Sequence, residues 1–183
     1  MFEIRYEIIN DYMDELKNIS LELFLKENHD VEGFFEMCVN ENSVGFMPDQ
    51  YSPYYSFQEW LFNWFEFLLL SVKKMEDAVP VVSFRVIEED TWIELIRKKE
   101  QLIISNKNYL QVKRFNAHVI EGVPGDEPEE IYWEEEILYA DYRNEILKKS
   151  KSFIEEFQSI FPNLKNFNRI SELQNLIEMI ENR

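Results

Sequence analysis

The chain has 183 residues, 45% hydrophobic and 15% aromatic, which gives enough apolar area for one domain with a sizeable core but not for two full domains. Only four glycines, six prolines and no low-complexity tract argue against a disordered chain. A formal net charge of −17 disfavours nucleic acid and anionic membrane surfaces as partners, and a single cysteine, Cys38, excludes an intramolecular disulfide and multi-thiolate zinc sites.

At the N-terminus Phe2, Ile4, Tyr6 and Ile8 alternate with Glu3, Arg5 and Glu7, the period of a half-buried strand. The same stretch lacks the basic start and continuous apolar run of a signal peptide. Ile19, Leu21, Leu23 and Leu25 also alternate, as do Val31, Gly33, Phe35, Met37 and Val39. Asn28-His29-Asp30 and Asn40-Glu41-Asn42-Ser43 separate these runs with turn chemistry, so residues 17–47 are expected to form an antiparallel meander.

Ser56 followed by Glu59 reads as a capping box, and it opens a run in which Phe57, Trp60, Leu61, Trp64, Leu68, Ser71, Val72 and Met75 share a helical face. A helix over about 56–76 is predicted. Phe62, Phe65 and Leu69 widen its apolar sector, which implies cover on more than one side. The most apolar window, "LFNWFEFLLLSV", is interrupted by Asn63 and Glu66 and is shorter than the roughly 20 residues that span a bilayer, so no transmembrane segment is expected, and the single cysteine fits a reducing cytoplasm.

Residues 79–87, 91–96 and "QLIISN" read as strands, with Lys98-Lys99-Glu100 turning between the last two. A further strand is expected around "LQVKRFNAHVI". Pro124-Gly125 and Pro128 then force a loop, after which "IYWEEEILYA" is a strand or a helix start. Ile146, Leu147, Ser150, Phe153, Ile154, Phe157 and Ile160 recur at helical spacing until Pro162, and a last helix carries Ile170, Leu173, Ile177 and Ile180. The order spells a single α+β domain over 1–183: an antiparallel sheet packed on the aromatic helix and two C-terminal helices.

Candidate chemistry is sparse. The two histidines fall in a polar turn (His29) and on an expected strand (His118), Cys38 reads as a small buried hydrophobe, and the glycines never form a phosphate-cradling pattern. No catalytic residue, cofactor or metal site is assigned.

Charge distribution is more informative. Residues 121–136, "EGVPGDEPEEIYWEEE", carry eight carboxylates and no Lys or Arg, around Tyr132-Trp133. A second span without Lys or Arg, between Lys26 and Lys73, holds eight acidic residues, whereas residues 97–114 carry a net +5, leaving the rest near −22. Three readings compete for the acidic stretch: a solvated loop, catalytic or calcium-binding carboxylates, and a surface that receives something basic. A calcium loop fits poorly, because Pro124 and Pro128 stiffen the backbone and the alternating Asp/Asn ligands are missing. For a receiving surface the candidate residues are Asp126, Glu127, Glu129, Glu130, Tyr132, Trp133, Glu134 and Glu135, the carboxylates steering a cationic partner and the aromatics supplying contact area.

In "DEPEEIYWEEEILYADY" and "YSPYYSFQEWLFNWF" the chain resembles bacterial toxin-immunity proteins. The resemblance implies a compact, cytosolic, acidic α+β domain without enzymatic activity that caps the basic surface of a toxin such as a nuclease. The alternative is a small-ligand binder or enzyme, with a pocket between the sheet and the 56–76 helix lined by Tyr54, Trp60 and Trp64.

Overall fold

The computed structural model describes residues 1–9, 16–27, 30–48, 58–86, 91–112 and 117–183. The fold is α+β, with two antiparallel sheets rather than one, and helices packed on them. In the first sheet β1 (Phe2–Ile8) pairs with β2 (Glu32–Val39), β2 with β3 (Asn42–Phe46), and the short β4 (Glu59–Trp60) also joins β2. The period-2 pattern sets the register: Ile4 lies opposite Met37 and Phe2 opposite Val39, and all four are buried. Asn40 makes the β2–β3 turn at φ 54°, a left-handed conformation that Asn tolerates.

The second sheet has the order β8-β5-β6-β7-β9, from β5 (Val81–Val86), β6 (Thr91–Lys98), β7 (Gln101–Asn108), β8 (Val119–Glu121) and β9 (Glu130–Leu138). Of the strand expected around "LQVKRFNAHVI" only Val119 and Ile120 are in a strand, Leu110 and Gln111 being exposed bends and residues 113–116 lying outside the described residues.

One expected strand is a helix. Leu21–Glu27 forms α1, because Ser20 Oγ accepts the Leu23 N–H at 3.2 Å and Leu, Glu and Lys are strong helix formers. Its alternating leucines do not form a face: Phe24 is buried edge-on against Phe167, while Leu23 and Leu25 are exposed.

Helix α2 runs Leu61–Glu76, starting five residues after Ser56, which, with Phe57, His29 and Tyr54, lies outside the described residues. The cap comes from across the fold. Asp30, buried at the mouth of β2, accepts the Phe62 N–H at 2.9 Å and the Asn63 N–H at 3.2 Å. Glu59 instead accepts the indole N–H of Trp64 at 2.9 Å. The wide apolar sector is covered as its width requires: Trp64 stacks on Phe35 of β2 at 4.4 Å, and Phe65 stacks at 4.5 Å on Phe153. Phe153 belongs to α3 (Tyr139–Ile160), which Pro162 ends by opening a single 3-10 turn, and α4 (Asn168–Glu181) buries Ile170, Leu173, Ile177 and Ile180. Among the described residues one buried cluster runs through both sheets and the helices α1 to α4, and no helix is long and apolar enough to cross a membrane.

Candidate functional site

The acidic stretch divides into a tethered loop and a strand. Gly122, at φ 88°, takes its carbonyl to the Ser83 hydroxyl (2.8 Å) and its N–H to the Val81 carbonyl (2.8 Å). Pro124 and Gly125 are buried, and a Cβ on Gly125 would stand 2.7 Å from both the Tyr109 ring and the Gln111 carbonyl, so only Gly fits there. Tyr109 donates to Glu94 Oε2 at 2.9 Å, and Lys107 Nζ lies 2.5 Å from Glu94 Oε1. Glu94 is only 2% exposed, so this buried ion pair lies under the loop base, with Trp92, Tyr109 and Ile120 forming a small separate core. Burial, with the Glu94 carboxylate next, pushes the Tyr109 phenol up, keeping it a neutral donor. The loop is therefore pinned at Gly122–Gly125, and it is Asp126 and Glu127 that face water.

From Glu130 the chain becomes β9, and the Glu129 N–H to the Asn108 carbonyl (2.9 Å) sets its alignment on β7. The register pairs Leu102 with Ile137, Ser105 with Glu134 and Asn106 with Trp133, then slips so that Ile131 meets Lys107, leaving Tyr132 as the extra residue of a bulge. Period-2 alternation sorts the residues. Ile137 is buried, Trp133 packs partly on the core, and Glu135 accepts from Asn40 Nδ2 at 2.6 Å and Asn42 Nδ2 at 2.9 Å, bracing the second sheet against the β2–β3 turn of the first. The opposite face carries Ile131, Glu134, Glu136 and Leu138, all exposed.

Of the eight candidates the structure turns six outward (Asp126, Glu127, Glu129, Glu130, Tyr132, Glu134) and holds Trp133 and Glu135 inward. It adds Ile131 (52% exposed), Glu136 and Leu138 (48%), next to Tyr132 (48%). The signal for Glu136 was the alternation itself, since Ile137 fixes which parity faces the core. Tyr139, another aromatic of the stretch, is buried: its phenol donates to Glu76 at 2.7 Å and the Arg97 guanidinium sits 3.7 Å above its ring. Desolvation, then the Glu130 carboxylate, raises the Tyr132 phenol. Among the described residues Glu127, Glu129, Glu130, Glu134 and Glu136 have no cationic partner.

No protein-family model matches the chain, and neither a curated protein nor a solved structure is significantly similar to it.

The remaining candidates are occupied otherwise. His118 is exposed outside any strand and stacks on Phe67 at 5.4 Å. Cys38 is half-buried rather than buried, and burial, then the Glu36 carboxylate, pushes its thiol up to about 11. The basic segment 97–114 spends Lys107 on Glu94 and Arg97 on Tyr139 and the Met75 carbonyl (3.1 Å). Trp64 is packed in the core and Trp60 is exposed on β4. Among the described residues no group of three or more His, Cys, Asp or Glu is placed to hold a metal ion.

Proposed function

We propose that the protein is a non-enzymatic, acidic binding domain whose surface along residues 126–138 receives a basic protein, acting as an immunity protein that caps a cytoplasmic basic toxin such as a nuclease. The observation that carries this reading is the row of exposed carboxylates at Glu127, Glu129, Glu130, Glu134 and Glu136, without cationic partners among the described residues and interleaved with exposed Ile131, Tyr132 and Leu138. Like charges this close are a cost in the free protein that a cationic partner relieves. The apolar side chains among them supply desolvated contact area. A pocket beside α2 has less support, because Trp64 is stacked on Phe35 instead of lining a cleft.

The test is co-expression with whatever basic toxin domain a gene adjacent to this one encodes. Wild type should relieve its toxicity and form a stable complex, and a Glu129→Lys/Glu130→Lys/Glu134→Lys variant, equally folded, should do neither. Absence of both relief and complex with the wild type would refute the immunity reading.

A further inference from the structure

We infer that β9 binds its partner by strand addition: an extended basic segment of another protein pairs with the outer edge of the second sheet, which no described residue pairs with. The inference rests on the reading of this surface as a protein-binding one and specifies how the partner is held.

The fold treats its sheet edges unequally. An edge strand presents unpaired N–H and C=O groups at every second residue, and proteins shorten, twist or cover such edges. At β1 the helix α3 reaches the outer edge, where Glu145 Oε1 accepts the Ile4 N–H at 3.4 Å. Strand β3 has five residues and is bent by Gly45 at φ 85°, and β8 has only three. Strand β9 has nine residues, is paired on one side by β7, and has no strand or helix hydrogen-bonded along its other side among the described residues. Six of its nine residues are exposed.

Charge selects the occupant. A second copy docking antiparallel on β9 would set Glu134 against Glu136 in the register centred on Glu135, and Glu134 or Glu136 against itself in the registers centred on those residues, and like charges directly opposite are destabilising. A cationic strand is favoured by the same arrangement. The exposed face reads Ile131, Glu134, Glu136, Leu138: two acids between two apolar side chains, the same from either end. Its complement is an extended segment with apolar, basic, basic and apolar residues at alternate positions, whichever way it runs. Backbone pairing supplies the affinity and the carboxylates the sequence preference.

The probe is a capped peptide, Val-Thr-Lys-Thr-Lys-Thr-Val, with two derivatives, one N-methylated at Val and Lys and the other at Thr. N-methylation removes the N–H donors from one edge of an extended peptide and leaves the other edge intact. Strand addition predicts that the parent peptide binds at low ionic strength and that one derivative loses about tenfold or more in affinity while the other keeps it. It also predicts slowed hydrogen exchange at alternate β9 amides. A Glu134→Lys/Glu136→Lys variant, both positions being exposed, should fold and lose the peptide. If both derivatives bind like the parent and only the charge reversal matters, strand addition is overturned while the acidic binding surface stands. No binding of the parent peptide, or binding indifferent to the charge reversal, overturns both. A dimer of the free protein with β9 amides protected overturns the choice of a foreign strand as occupant.

Discussion

Arg169 on α4 reaches Asp30 ahead of β2 at 2.6 Å, joining two residues 139 positions apart, and the same guanidinium takes Asn63 Oδ1 at 2.9 Å and Glu66 Oε2 at 2.8 Å on α2. Asp30 thereby caps α2 and ties it to the last helix. Burial raises the Asp30 carboxyl despite Arg169 and the N–H groups of Phe62 and Val31. With the native pKa above the unfolded one, near 4, the native state holds the extra proton between the two values. Stability from this group is therefore complete below about pH 4 and is lost as pH rises through the native pKa. The margin of wild type over Asp30→Asn in urea melts should accordingly shrink from about pH 4 toward neutrality. A margin that widens would place the native pKa below the ordinary one.

Trp64 is buried between Phe35 and Phe84, so Trp64→Ala should cost about 3 to 5 kcal/mol in denaturant melts. A loss under about 1 kcal/mol would mean that this face of α2 is not packed as described.

The buried Glu94–Lys107 pair should respond asymmetrically. Lys107→Met leaves a carboxylate without its cation and should destabilise by about 3 kcal/mol or more, whereas Glu94→Gln/Lys107→Met should recover much of that loss. Additive losses in the double-mutant cycle would show that the two side chains are uncoupled.

Cys38, with its thiol at about 11, is almost wholly protonated near pH 8. Its reaction with a thiol-specific disulfide reagent should be roughly a hundredfold slower in the native protein than in denaturant. Equal rates would contradict the burial and the Glu36 neighbour described here.

Much of this architecture is legible in the sequence because hydrophobic period is written locally. The alternation of Phe2, Ile4 and Ile8, the helical spacing from Ile146 to Phe157 and the turn at Lys99 each map onto the observed elements. Misreadings arise where two local signals compete or where a distant group decides. Leu21–Leu25 alternate by coincidence, and a Ser20 cap with strong helix formers makes them helical. Helix α2 takes its cap from Asp30 rather than from a neighbouring Ser, a partnership that spacing along the chain does not reveal. At the candidate site the charge was visible, but the edge position of β9 was not, because strand order is a tertiary property. Hence Glu135, read as a steering carboxylate, proves to brace the two sheets through Asn40 and Asn42, while Ile131, Glu136 and Leu138 join the exposed surface.

The central claim, that the exposed carboxylates along β9 receive a basic partner, is tested most directly by stopped-flow association at low and moderate salt. The partner is the polypeptide identified by co-expression rescue, and wild type is compared with Glu129→Lys/Glu130→Lys/Glu134→Lys. Each change should leave stability within about 0.5 kcal/mol, since all three side chains are exposed. Wild-type association should be about tenfold or more faster at low salt and fall steeply as salt rises, while the variant starts slow and changes little. Equal rates and equal salt dependence in the two proteins would contradict the account and leave residues 126–138 as a solvated, charge-protected edge.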